Sequence, residues 1–368
     1  MRSFWLGFAI FAVAFAMNTT VSRANFVQTN IISDIPGEAL LTDSSLKNPW
    51  GMSFSATSPI WVSDAANGTG TASLFNALTP SVQSLLVSVP GGPTGQVFNS
   101  TPSNFQIPAA SGTVKAAFLF DTLSGTIQGW NPGSTGGANA SVTVATVQGA
   151  AFTGLALGSS GGANYLYSAN ANGGIVVFDG TFANVTGTIF AGKFVDPNPV
   201  AGFTPYNIQI LGGNLFVTYA SPSLTPGGYV DEFDTAGNFI KRIATNGPLN
   251  APWGLAVAPV GFGTFGGDLL VGNLLDSVIA AINLGSDTVD GLITVNTGVA
   301  SSVGLWALDF GNGASGDPNT LYFTAGINDQ QDGLLGAITA VPEPASLLLF
   351  STAIVGFGAF RQWRRKGG

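Results

Sequence analysis

The chain contains no cysteine and no histidine among its 368 residues. The first absence removes disulfides, thiolate metal sites and thiol nucleophiles. The second removes the usual general base and the commonest metal ligand. Charged residues are also scarce, at 8%. Apolar residues are plentiful, at 45%, and they come with 51 glycines and 20 prolines. A sizeable core is therefore assured, and the turn-forming residues point to many short strands.

The two ends read differently from the body. Met1–Ala24 has the order of a signal peptide: Arg2, an apolar stretch over Phe4–Met17, then Ser22-Arg23-Ala24 as a small-x-small cleavage site before Asn25. Its apolar run is shorter than the roughly 20 residues a membrane-spanning helix needs. At the other end, Pro342-Glu343-Pro344 precedes an apolar run from Ala345 to Phe360 and a basic cluster of Arg361, Arg364, Arg365 and Lys366. The run is just long enough to cross a bilayer as a helix, and the basic cluster would hold its end in the cytoplasm, leaving the body on the far side. This triad resembles the PEP-CTERM sorting tail of Gram-negative bacteria, with Pro342, Glu343 and Pro344 as its motif. The resemblance implies export, recognition by an exosortase, a membrane anchor until the tail is processed, and delivery to the cell surface or extracellular polymer.

Residues 25–340 carry five basic and eighteen acidic side chains, a net charge of −13. Such a body repels nucleic acid and anionic lipid and attracts cations. It also repeats. Strands led by Trp50-Gly51, Thr94-Gly95, Thr153-Gly154 and Trp253-Gly254 alternate with apolar strands centred on Trp61, Phe118, Tyr167, Phe216, Leu270 and Tyr322. Tyr206-Asn207 and Trp306-Ala307 fill the first role without the glycine. A third strand type ends in an apolar residue and usually a turn-former, as in Phe75-Asn76, Trp130-Asn131, Phe178-Asp179, Phe233-Asp234 and Ile282-Asn283. Fourth strands are expected at 84–89, 141–147, 185–190, 238–243 and 292–296. The sixth set lacks one, while Phe26–Ile32 is a strand without a partner. Closing a ring with that strand leaves no gap between first and last blades. The expectation is an all-β, six-bladed β-propeller of four-stranded antiparallel blades over residues 25–340, flanked by a signal peptide (1–24) and a sorting tail (341–368).

The body is similar to a family of exported bacterial propellers with NHL-like repeats. Asn48-Pro49-Trp50-Gly51, Pro93-Thr94-Gly95, Gly125-Thr126-Ile127-Gln128-Gly129-Trp130-Asn131 and Ala251-Pro252-Trp253-Gly254-Leu255 carry the likeness. It brings no activity and no catalytic residue with it.

Three residues beyond each second-strand anchor stand Asp64, Asp121, Asn170, Tyr219, Asn273 and Ala325. Four of these six, Asp64, Asp121, Asn170 and Asn273, offer a carboxylate or amide oxygen. Converging on one axis they would suit Ca²⁺, which takes several hard oxygen ligands. The same residue types also begin loops in any β protein. No Ser–His–Asp set or phosphate loop is present. The reading is an exported surface or matrix protein whose propeller binds a polysaccharide, a protein or a small ligand. The alternatives are a metal-dependent propeller hydrolase or lactonase, and a structural matrix component.

Overall fold

The computed structural model describes residues 26–66, 70–296 and 304–341. The signal segment and the sorting motif therefore lie outside the described residues, and the body Phe26–Val341 is one unit.

That unit is a six-bladed propeller. The innermost strands are Pro49–Ser53, Pro93–Phe98, Phe152–Ser160, Thr204–Leu211, Pro252–Val257 and Leu305–Phe310. Each touches the next, and blade 6 returns to blade 1. The second strands, such as Ile60–Asp64, Phe118–Thr122 and Leu269–Asn273, are buried along their whole length. They are covered by neighbouring blades on both faces, which is why they read as apolar runs rather than as alternating patterns. Outer strands such as Phe239–Thr245 have one wet face and alternate.

Small residues set the spacing at the axis. A Cβ on Gly51 would lie 2.3 Å from the Thr94 carbonyl oxygen, and one on Gly95 would lie 2.2 Å from the Leu155 nitrogen. Only glycine lets inner strands approach this closely.

Phe26–Ser33 closes the ring. It pairs antiparallel with Asp332–Ala340, with Phe26 opposite Ala340 and Ser33 opposite Leu334. Ile31 and Ile32 enter the core shared with blade 1, each contributing about 1.5–3 kcal/mol by burial. Ser33 Oγ donates to the Gly333 carbonyl at 2.8 Å, and the Gly333 N–H donates to Asp34 Oδ1 at 2.7 Å. Lys47 pairs with both Asp34 and Asp332, clasping the joint.

Outer strands depart from the sequence expectation in three blades. In blade 3, residues 185–190 form turns instead of a fourth strand. Thr186 Oγ1 takes the Val177 N–H at 2.8 Å in place of a backbone partner. Phe190 then folds inward against Tyr165, with ring centroids 4.9 Å apart. In blade 1 the edge is split into Ser81–Val82 and Val87–Ser88, both paired with Thr71–Asn76. In blade 5 the outer strand spans Thr288–Thr294, starting earlier than expected. The residues closing the third strands are turn-formers, as read. Asn131, Asp179, Asp234 and Asn283 each accept backbone N–H groups two to four residues on.

Candidate functional site

Every inner strand starts at one face of the ring and ends at the other, so equivalent positions form layers. In the first layer, four blades place a large aromatic side chain at the axis: Trp50, Tyr206, Trp253 and Trp306. Trp50 and Trp306 stack with centroids 3.5 Å apart, and Trp253 meets Trp306 edge-on at 5.7 Å. Tyr206 lies 6.0 Å from Trp306. Trp253 Nε1 reaches to blade 3 and donates to the Thr153 carbonyl at 2.8 Å. The axis is closed at this face.

Beyond the plug, the inner strands line a cavity of about 360 Å³. Trp253 contributes to its wall at the plugged end, and Phe54, Phe98, Ser100 and Asp309 line it toward the opposite face. Phe26 and its partner Ala340 lie at that same face. Among the described residues, Asp309 is the one ionisable group on the wall. Its Oδ1 accepts the Phe310 N–H at 2.9 Å. Burial among protein atoms pushes this carboxyl up to about 7, although part of its surface faces the cavity.

Two further lining residues each have a polar atom buried within the wall, closed to the cavity. Gln96 donates its amide Nε2 to the Gly51 carbonyl at 3.0 Å and to the Trp61 carbonyl. Those two bonds fix the amide orientation and leave Oε1 buried without a partner. Ser53 Oγ is likewise buried and unpartnered. Asn207, by contrast, is used up: Oδ1 takes the Ile208 N–H and Nδ2 donates to the Trp253 carbonyl.

The four residues singled out by equal offset all sit at the plugged face, at or next to the ends of second strands, and none lines the cavity. Asp121 is fully buried and joins blades 2 and 3. It accepts Thr94 Oγ1 at 2.8 Å, Gly95 N–H at 2.7 Å and Ser168 Oγ at 2.6 Å. Burial raises its carboxyl to about 6 against the pull of these donors. Asn170 Oδ1 accepts the Ala151 and Asn172 N–H groups, and Asn273 Oδ1 accepts the Asn250 N–H at 3.0 Å. Asp64 accepts Thr71 Oγ1 at 3.3 Å and keeps Oδ1 buried and unpartnered. Burial holds its carboxyl well above the ordinary value. Among the described residues no three acidic side chains come close enough to share a metal ion. Trp130 is core: its indole donates to the Ala138 carbonyl and its ring packs on Trp61.

Sequence reasoning missed Asp309, Gln96 and Ser53. A usable signal was present, since Asp309 is the sole charged residue on the six innermost strands.

Comparison with known proteins adds three findings. Residues 340–366 match the PEP-CTERM protein-sorting motif, which supports an exported, membrane-transiting chain. A solved glucose dehydrogenase shares the fold with a TM-score of 0.50 and 14% identity, over 86% of this chain and 100% of that one. At that identity the likeness concerns architecture alone. Uncharacterized protein R648 of Acanthamoeba polyphaga mimivirus is 30% identical over 331 residues, covering 84% of this chain and 78% of that protein, and the chain belongs to its family.

Proposed function

We propose that the chain is a sorted cell-surface or extracellular-matrix protein whose propeller binds a small ligand in its blind axial cavity. The observation that carries this reading is the axis itself, plugged by aromatic rings at one face and open beside Asp309 at the other. Concave sites of this volume that carry a few convergent polar groups are the usual form of small-molecule sites, and this one has a mainly polar lining. A catalytic reading would rest on Asp309 alone, the one ionisable side chain on the wall among the described residues, which could act as a general acid or base. The sorting tail supports an exosortase as processing partner, a bacterial cell as the setting and extracellular polysaccharide as the surroundings.

Two experiments test this reading. Replacing Pro342, Glu343 and Pro344 by alanine should leave export intact and retain the protein at the membrane, as followed by cell fractionation. Unchanged surface delivery would remove the sorting assignment. For the cavity, ligands found in an array screen should lose binding to Ser100→Trp, which places a large side chain at the exposed mouth. Full binding by that variant, with an unchanged melting temperature, would move the site elsewhere.

A further inference from the structure

Charge is distributed unevenly around the ring. Residues 48–178, which build blades 1 and 2 and nearly all of blade 3, contain three charged side chains: Asp64, Lys115 and Asp121. Both aspartates are fully buried, and Lys115 Nζ donates to the Thr101 carbonyl at 2.8 Å. The rest of the body, 25–47 and 179–340, holds four basic and sixteen acidic side chains, a net charge of −12. One half of the propeller surface is therefore uncharged apart from a single lysine, and the other half is strongly acidic.

Net charge keeps a soluble protein monomeric, and an uncharged surface favours association. On the uncharged half, Leu78, Val82 and Leu86 are 45%, 40% and 38% exposed at the outer edge of blade 1. No charged residue stands within ten positions of any of them in the chain. Exposed aliphatics of the acidic half, such as Val195, Ile240 and Val289, each stand next to one. Backbone bonds also join the rims of blades 1 and 2 into one surface. Ser88 N–H donates to the Asn139 carbonyl at 2.8 Å, and Ser141 N–H donates to the Ser88 carbonyl at 2.9 Å. Asn139 Nδ2 reaches the Leu86 carbonyl at 3.4 Å. The rim is held in shape before any partner arrives, which lowers the ordering cost of binding.

We propose that the uncharged rim of blades 1 and 2 is where a second copy of this chain docks, forming a two-fold dimer. Two copies repel each other wherever their acidic surfaces would meet, and this half escapes that repulsion. In a two-fold contact the same patch meets itself, so the rim aliphatics of one copy cover those of the other. The acidic halves then point outward, separated by both uncharged halves, beyond the Debye length of about 8 Å at physiological salt. Side chains rather than backbone make the contact. The outer edge is interrupted between Ser81–Val82 and Val87–Ser88, so it cannot take a continuous added strand. A sugar polymer fits the rim less well, since among the described residues none of the exposed large apolar side chains is aromatic.

The test is sedimentation equilibrium of the full chain in mild detergent, with protein concentration and salt as variables. The native chain should dimerise, and its dissociation constant should hold level or fall as salt rises from about 0.1 M to about 0.5 M. Val82→Asp combined with Leu86→Asp puts carboxylates on both sides of the contact and should weaken the dimer roughly tenfold or more. Both side chains are exposed, so the melting temperature of that variant should not change. Val289→Asp, on the acidic half, should leave the dimer intact. A native chain that stays monomeric at every concentration would overturn the proposal. A dimer that survives the double substitution would place the association elsewhere and overturn it too, as would a dimer that salt dissociates, which would be ionic. If the chain is monomeric and a neutral polysaccharide binds it but not the double variant, the rim belongs to that polymer and the second copy is wrong. None of these outcomes depends on what the axial cavity binds.

Discussion

Blades 4, 5, 6 and 1 meet at the axis through aromatic rings, whereas blades 2 and 3 meet there through a buried carboxylate. The positions are equivalent: Tyr206, Trp253, Trp306 and Trp50 on one side of the ring, Thr94 and Thr153 on the other. On the aromatic side, stacking and burial hold the blades together, and two indole N–H groups, of Trp50 and Trp306, go without partners. On the threonine side little apolar area is available. Asp121 compensates by accepting bonds from Thr94 and Gly95 of blade 2 and Ser168 of blade 3. The first solution is insensitive to pH and depends on shape. The second is directional and depends on a titrating group.

Truncation should separate the two. Trp306 is fully buried, so Trp306→Ala should lose about 3–5 kcal/mol in denaturant unfolding, the range for deleting a large core aromatic. A cost below that range would mean that the neighbouring rings close the gap and that the plug is not tightly packed.

Asp121→Ala should lose less, about 1–3 kcal/mol, because Gly95 N–H and Ser168 Oγ lose their acceptor. Its signature lies in pH. The folded pKa of about 6 is raised above the ordinary 3.8, so the fold favours the protonated form. Stability from this group therefore grows as pH falls from about 6 toward 3.8, and it is lost as pH rises through 6. Subtracting the variant's stability–pH curve from the native one isolates that contribution from the other buried carboxyls. A flat difference curve would assign Asp121 an ordinary pKa and remove the contrast with the aromatic side.

The same contrast explains what the sequence made legible. The glycine-led inner strands, the apolar second strands and the unpartnered Phe26–Ile32 each state a local requirement, and together they specify six blades and their closure. Equal offsets pointed to Asp64, Asp121, Asn170 and Asn273 because strand ends attract turn-formers and inter-blade acceptors. Equal offset carries no information on which way an oxygen is spent. Asp121, Asn170 and Asn273 spend theirs on neighbouring hydroxyls and backbone N–H groups. The cavity was hidden for another reason. It depends on where the plug stops, and that is set by ring packing between residues hundreds of positions apart, such as Trp50 and Trp306. The missing fourth strand of blade 3 turns on one side-chain hydroxyl, Thr186, replacing a backbone acceptor.

The two ends of the axis offer the most direct test, and the absence of native cysteine makes it clean. Gln209 lines the cavity, whereas Thr153 sits on an inner strand in the plugged layer. Single variants Gln209→Cys and Thr153→Cys can be exposed to a small thiol reagent under native conditions and followed by mass spectrometry. The cysteine at 209 should label while the protein is folded, and the cysteine at 153 should label only on unfolding. Native-state labelling of both at similar rates would show an axis open from end to end and contradict a blind cavity as the binding site.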